Sequence, residues 1–125
     1  MRNSVNVTIN GNTYPLNFST RAAMAVSEKF GGLENMQQKF ASDDLEEQFG
    51  ALLWITHLLL DQGAKYRRIV CGEAVEPPPI EELEVLLDLP EMMELLPKVM
   101  AAITGGLERT VEADTGKNGE ATRAS

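Results

Sequence analysis

The stretch Phe49 to Leu60, FGALLWITHLLL, constrains the fold more than any other part of this chain. Between Ala51 and Leu60 only Thr56 and His57 are polar, so a helix here is apolar on nearly every side and has to be enclosed by other elements. One face reads Leu45, Phe49, Leu52, Leu53, Thr56, Leu59, Leu60, close to the i, i+3, i+4, i+7 series; a second holds Ala51, Trp54, Ile55 and Leu58. The run is about half of the roughly 20 residues a bilayer crossing needs, and Asp43, Asp44, Glu46, Glu47 and Asp61 bracket it. It predicts the central helix of a small helical bundle, not a membrane span.

The surroundings of that helix predict a mostly α chain with a short N-terminal β-hairpin, an α+β class, as one domain over residues 1–112. Val5, Val7 and Ile9 alternate with polar residues ahead of Asn10-Gly11, a strong hairpin signal, and a second strand runs through Thr13, Tyr14 and Leu16 to Phe18. The hairpin therefore occupies about residues 5–18. Pro15 confines the second strand to an edge or an early end. Ser19 or Thr20 is the expected cap of a first helix that stops at Gly31-Gly32, and Leu33, Met36 and Phe40 mark a short second one.

Ser42 and Asp43 are expected to open the central helix, with Glu46 completing a capping box, and Gln62-Gly63 to end it. Ala64 to Val70 then reads as a further short helix with Tyr66, Ile69 and Val70 on one side and Lys65, Arg67 and Arg68 on the other. Gly72 and Pro77-Pro78-Pro79 break the chain, and Pro79 suits the first position of another helix. Asp88 is the expected cap of a last helix, whose Leu89, Met92, Leu96, Val99 and Ile103 step like a heptad seam. Pro97 is expected to kink or restart it, and Gly105-Gly106 to soften its end. Residues 113–125, ADTGKNGEATRAS, hold no apolar side chain larger than alanine and read as a disordered tail.

The net charge of −8 is unevenly placed. Residues 1–72 carry seven acids and seven bases, whereas Glu73 to Asp114 carries eleven acids against Lys98 and Arg109. Such a surface repels phosphates and anionic lipid and suits a basic or amphipathic protein partner. The single cysteine, Cys71, excludes an internal disulfide and gives no metal-site spacing. The start MRNSVNVTIN has no signal-peptide apolar core, so a cytoplasmic location is expected.

Little here points to catalysis, cofactor binding or metal binding. His57 has Asp61 one turn on but neither a nucleophile nor a second metal ligand nearby, so a structural histidine is expected. Lys65, Arg67 and Arg68, with Tyr66 among them, form the one basic cluster with an aromatic; three charges in so acidic a chain make a poor nucleic-acid site, although a small regulatory nucleic-acid binder is the alternative. The last helix is the candidate partner surface. Glu91, Glu94 and Glu108 would steer a basic partner, and Met92, Met93 and Met100 would supply adaptable apolar contact. Met at such spacing is also ordinary core filling.

Residues 7–33, VTINGNTYPLNFSTRAAMAVSEKFGGL, form a hairpin leading through a phenylalanine and a Ser/Thr cap into a helix that ends at Phe-Gly. With the apolar central helix, the GAKYRRI segment, the proline break before IEELEVLL and the acidic last helix, this order resembles the tail assembly chaperones of long-tailed bacteriophages and prophages. The resemblance implies a non-enzymatic cytoplasmic helper that coats the tape measure protein and brings tail tube protein subunits to it. It also implies that a longer frameshifted product can exist, for which the polar segment from Ala113 onward would serve as a linker. It transfers no site residues and leaves a homo-oligomer, or a general protein adaptor, open.

Overall fold

The computed structural model describes the backbone of residues 5–118 and the side chains of residues 5–107. Strands β1 (Val5–Ile9) and β2 (Asn12–Leu16) precede helices α1 (Thr20–Phe30), α2 (Leu33–Phe40), α3 (Leu45–Cys71), α4 (Ile80–Leu86) and α5 (Leu89–Asn118). This is the mostly helical α+β class expected from the sequence. No described helix is long and apolar enough to cross a membrane.

The hairpin turns at Asn10 (φ 52°) and Gly11 (φ 81°), the left-handed pair that a two-residue type I′ loop requires. Its antiparallel register sets Ile9 against Asn12, Val7 against Tyr14 and Val5 against Leu16. Hydrogen-bonded and non-bonded pairs alternate away from such a loop, so Thr8–Thr13 and Asn6–Pro15 are the non-bonded pairs. Pro15 therefore costs no ladder bond. Its missing N–H would have pointed away from β1.

Val7, Ile9 and Leu16 are buried on the face that meets the helices, with β2 lying on α3 and β1 on α5. Ser19 caps α1 and ties it to the core at once: its hydroxyl accepts from the Ala22 N–H (3.1 Å) and donates to Gln62 Oε1 (2.5 Å), a buried amide on α3. Gly31 closes α1 with a left-handed φ of 86°. Phe30 meets Trp54 edge to face at 5.4 Å, and Lys29 sits over the Trp54 ring.

The central helix is enclosed as the composition demands: Ile55, Thr56 and Leu59 have no exposed surface and Leu60 has 1 %. Three expectations about it need correction. Its cap is Asp44, whose Oδ1 accepts from the Glu46 N–H at 3.1 Å, while Ser42 Oγ accepts from the Asp44 N–H one step earlier. It does not end at Gln62-Gly63 but continues through the expected separate helix to Cys71, where Gly72 closes it with φ 72°. Gly63 is there for room: a β-carbon on it would overlap the Pro15 carbonyl oxygen and stand 2.8 Å from the carbonyl carbon. Beside it the Asn17 N–H reaches the Leu59 carbonyl at 3.2 Å, so the strand-to-helix link lies directly on α3.

Helix α5 does not restart at Pro97 but is helical on both sides of it, with the proline at an exposed position. Gly106 again makes a close approach, because a β-carbon would lie 2.7 Å from the Phe18 carbonyl oxygen and 3.0 Å from Phe18 Cβ. Pro79 precedes α4 as its cap residue, and Ile80 is the first helical position. The segment read as a disordered tail begins inside α5, which takes in residues 113–118; residues 119–125 lie outside the described residues.

Candidate partner surface on the last helix

Helix α5 is fixed at its start by a reciprocal cap. The Glu91 N–H donates to Asp88 Oδ1 (2.9 Å) and the Asp88 N–H donates to Glu91 Oε1 (3.0 Å), so two backbone donors are satisfied by two carboxylates that also suit the helix dipole. From there the apolar positions divide into two stripes. Met92, Leu95, Val99, Ala102 and Ile103 are buried in the core. Leu89, Met93, Leu96 and Met100 step by four, three and four along the adjoining face, with Leu107 further on. Leu89 is 62 % exposed and Met93 57 %, whereas Leu96 and Met100 are half-buried.

The heptad-like seam expected over Leu89, Met92, Leu96, Val99 and Ile103 is thus split, since successive residues turn by roughly 100° and a repeat of seven drifts around a straight helix. Met92, Val99 and Ile103 fall to the core and Leu89 and Leu96 to the second stripe. That stripe adjoins the start of α3, where Leu45 is exposed, and forms with Phe40, Phe49 and Leu52 a shallow apolar recess under Met93. Met100 faces a wider cleft of about 380 Å³, bounded by Pro97 and Ala101 on one side and Val5, Leu16 and Phe18 on the other.

The six residues singled out on α5 do not form one patch. Met92 is 4 % exposed and belongs to the core, so it offers a partner nothing. Glu91 and Glu94 are exposed but face β1, sharing a small groove with Thr8, Leu87 and Lys98, while Met93 faces α2 and α3. The Glu108 side chain lies outside the described side chains. The residues missed by sequence reasoning are Leu89 and Leu96, which the heptad pattern assigned to the core.

Elsewhere, half-buried His57 has Asp61 one turn on, and the Asp61 carboxylate is held by Lys65 Nζ (3.1 Å) and Gln62 Nε2 (3.4 Å). Arg67 pairs with Glu73 at 3.2 Å, at the start of the acidic half of the chain. Tyr66, Ile69 and Val70, read as one face of a short helix, are all exposed where α3 runs past the core, Ile69 by 79 %. Cys71 is exposed. Among the described residues no three His, Cys, Asp or Glu side chains gather as a metal site would need. At the corner between α2 and α3, hydrogen bonds from Lys39 and then Ser42, with the Lys39 charge, hold the Glu47 carboxyl below its ordinary value.

Comparison with protein-family models, with curated proteins and with solved structures returned no match.

Proposed function

We propose that this chain is a non-enzymatic assembly chaperone of the phage tail type, which binds the tape measure protein and helps recruit tail tube subunits. The observation that carries the reading is the second apolar stripe of α5. Leu89 and Met93 remain mostly exposed although the core beside them is complete, and a contiguous apolar surface of this kind suits a partner helix. The unbranched Met93 and Met100 adapt to more than one partner shape, as a protein that coats a long partner requires. Glu91 and Glu94, on the opposite flank of α5 beside β1, add a long-range attraction for a basic partner without touching the stripe. The order of hairpin, capped helix and apolar central helix supports the same reading. The nucleic-acid alternative draws less support, because Lys65 and Arg67 already face Asp61 and Glu73.

The test is co-expression with a tape measure protein of a long-tailed phage. Leu89→Asp with Met93→Asp should abolish co-purification and lower the solubility of the partner while leaving the melting curve of this chain nearly unchanged. Glu91→Lys with Glu94→Lys should weaken capture, more so at low salt. A matched reversal at Lys65 and Arg67 should matter less. Capture that survives the stripe variant would move the contact surface elsewhere.

A further inference from the structure

The hairpin has two outer edges, and they differ. On β2 the outward positions are Thr13 and Pro15; proline has no N–H to offer, and the Pro15 carbonyl is pressed against Gly63 of α3. That edge is blocked at Pro15, which leaves Thr13 alone open beside the turn. On β1 the outward positions are Asn6 and Thr8, both exposed, whose backbone N–H and C=O groups point away from β2 by the alternation of the ladder. Among the described residues no hydrogen bond reaches them from outside the hairpin. Proteins commonly blunt such an edge with a charge or a proline, yet β1, VNVTI, carries neither.

The open edge has a built flank. A small groove runs between Val7 and Thr8 of β1 and the first turns of α5, with Leu87 and Leu95 as its apolar part and Glu91, Glu94 and Lys98 along it. Leu87 and Leu95 are buried, so the floor is firm; both glutamates are exposed, and Glu91, whose Oε1 accepts from the Asp88 N–H, keeps its second oxygen for an incoming cation. A strand laid on β1 would place alternate side chains over this flank, where two carboxylates outnumber one ammonium.

We propose that β1 takes a third strand: an extended segment of a partner protein, rich in lysine or arginine at alternate positions, which bonds to the backbone of Asn6 and Thr8 and sets its cations against Glu91 and Glu94. Main-chain hydrogen bonds supply the affinity and the carboxylates select the sign of charge. The surface is distinct from the apolar stripe of α5, and the inference does not rest on the tail-assembly reading.

The probe is a short labelled peptide of alternating lysine and valine, compared by fluorescence anisotropy with its glutamate–valine counterpart. The intact chain should bind the lysine peptide at least about tenfold more tightly, as a difference of two close charge contacts allows. Thr8→Pro removes an outward N–H without touching the ladder, as Pro15 does on the opposite strand, and should abolish binding. Should that variant fail to fold, the peptide carries the test instead: methylating its alternate backbone nitrogens should block binding in one frame and spare it in the other. Glu91→Gln with Glu94→Gln should close most of the gap between the two peptides. The proposal is overturned if neither peptide binds, if both methylated frames bind alike, or if folded Thr8→Pro binds as the parent does. It is equally overturned if sedimentation shows a dimer, abolished by Thr8→Pro, that excludes the peptide; the edge would then belong to a second copy of this chain.

Discussion

Gly63 of α3 lies against the Pro15 carbonyl with no space for a side chain between them. Helix propensity alone would make Gly63→Ala stabilising by about 1 kcal/mol. The close contact reverses the sign, because the obstacle is backbone held by both the hairpin and α3, and forcing atoms into such a site costs about 1–3 kcal/mol or more. Gly63→Ala should therefore lower the urea midpoint. Gly50→Ala, on the same helix but with nothing within 4 Å of its added carbon, should raise it by about 1 kcal/mol in stability. Equal effects from the two changes would refute the packing assignment.

The enclosed face of α3 carries the core. Leu59→Ala removes a side chain with no exposed surface and should cost about 3–5 kcal/mol; Leu53→Ala, at 9 % exposure beside the surface, should sit nearer 2 kcal/mol. Chemical denaturation of both variants, read for midpoint and slope, checks the order.

Thr56 is fully buried and its hydroxyl has no hydrogen-bond partner in the structure. Thr56→Val keeps the shape and removes an unsatisfied polar atom, so it should be neutral or stabilising by up to about 1 kcal/mol. Thr56→Ser keeps the hydroxyl and opens a methyl-sized void, and should destabilise. A valine variant that melts well below the parent would show that the hydroxyl is bonded in solution.

Glu47 should give the acid limb of the stability curve a specific component. Its carboxyl is held below the ordinary value of 4.5 by the hydrogen bonds from Lys39 and Ser42, so the folded state favours the ionised form. That contribution is present above the unfolded value and is lost as pH falls through the lower folded one. Lys39→Met should flatten the fall in melting temperature below about pH 4.5, and added salt should shrink the difference, since both side chains are exposed. Parallel curves for parent and variant would count against the pair.

Much of the fold was legible because local chemistry and burial agree. Asn10-Gly11, Ser19, Gly31 and Asp88 each name a turn or a cap, and the run from Ala51 to Leu60 names the buried helix. The sequence misled where one residue type serves two purposes. Glycine marks helix ends and also close helix contacts; Gly63 and Gly106 are of the second kind, and only their distant neighbours Pro15 and Phe18 distinguish them. Pro97 reads as a break but stands at an exposed position inside an uninterrupted helix. For the candidate surface, the acids and methionines of α5 were visible as composition, but which of them face outward depends on the rotation of that helix against β1 and α3. Met92 and Met93 are neighbours in sequence and end on opposite sides of the protein boundary, one in the core and one in solvent.

The two tight glycine contacts also govern when this protein can finish folding. The link from Pro15 to Phe18 is gripped by α3 at one end and by α5 at the other, so the first strand pair synthesised is held by the last helix. On the ribosome α1, α2 and α3 can form as they emerge and receive β2, but the contact of Phe18 with Gly106 and the cover that α5 gives β1 wait until that helix has left the exit tunnel. Contacts so far apart in sequence slow the closing step relative to a bundle of neighbouring helices. During that interval Phe18 lacks the cover that Gly106 gives it in the finished fold, and a nascent chain stalled before Gly106 would present it to proteases and to other chains.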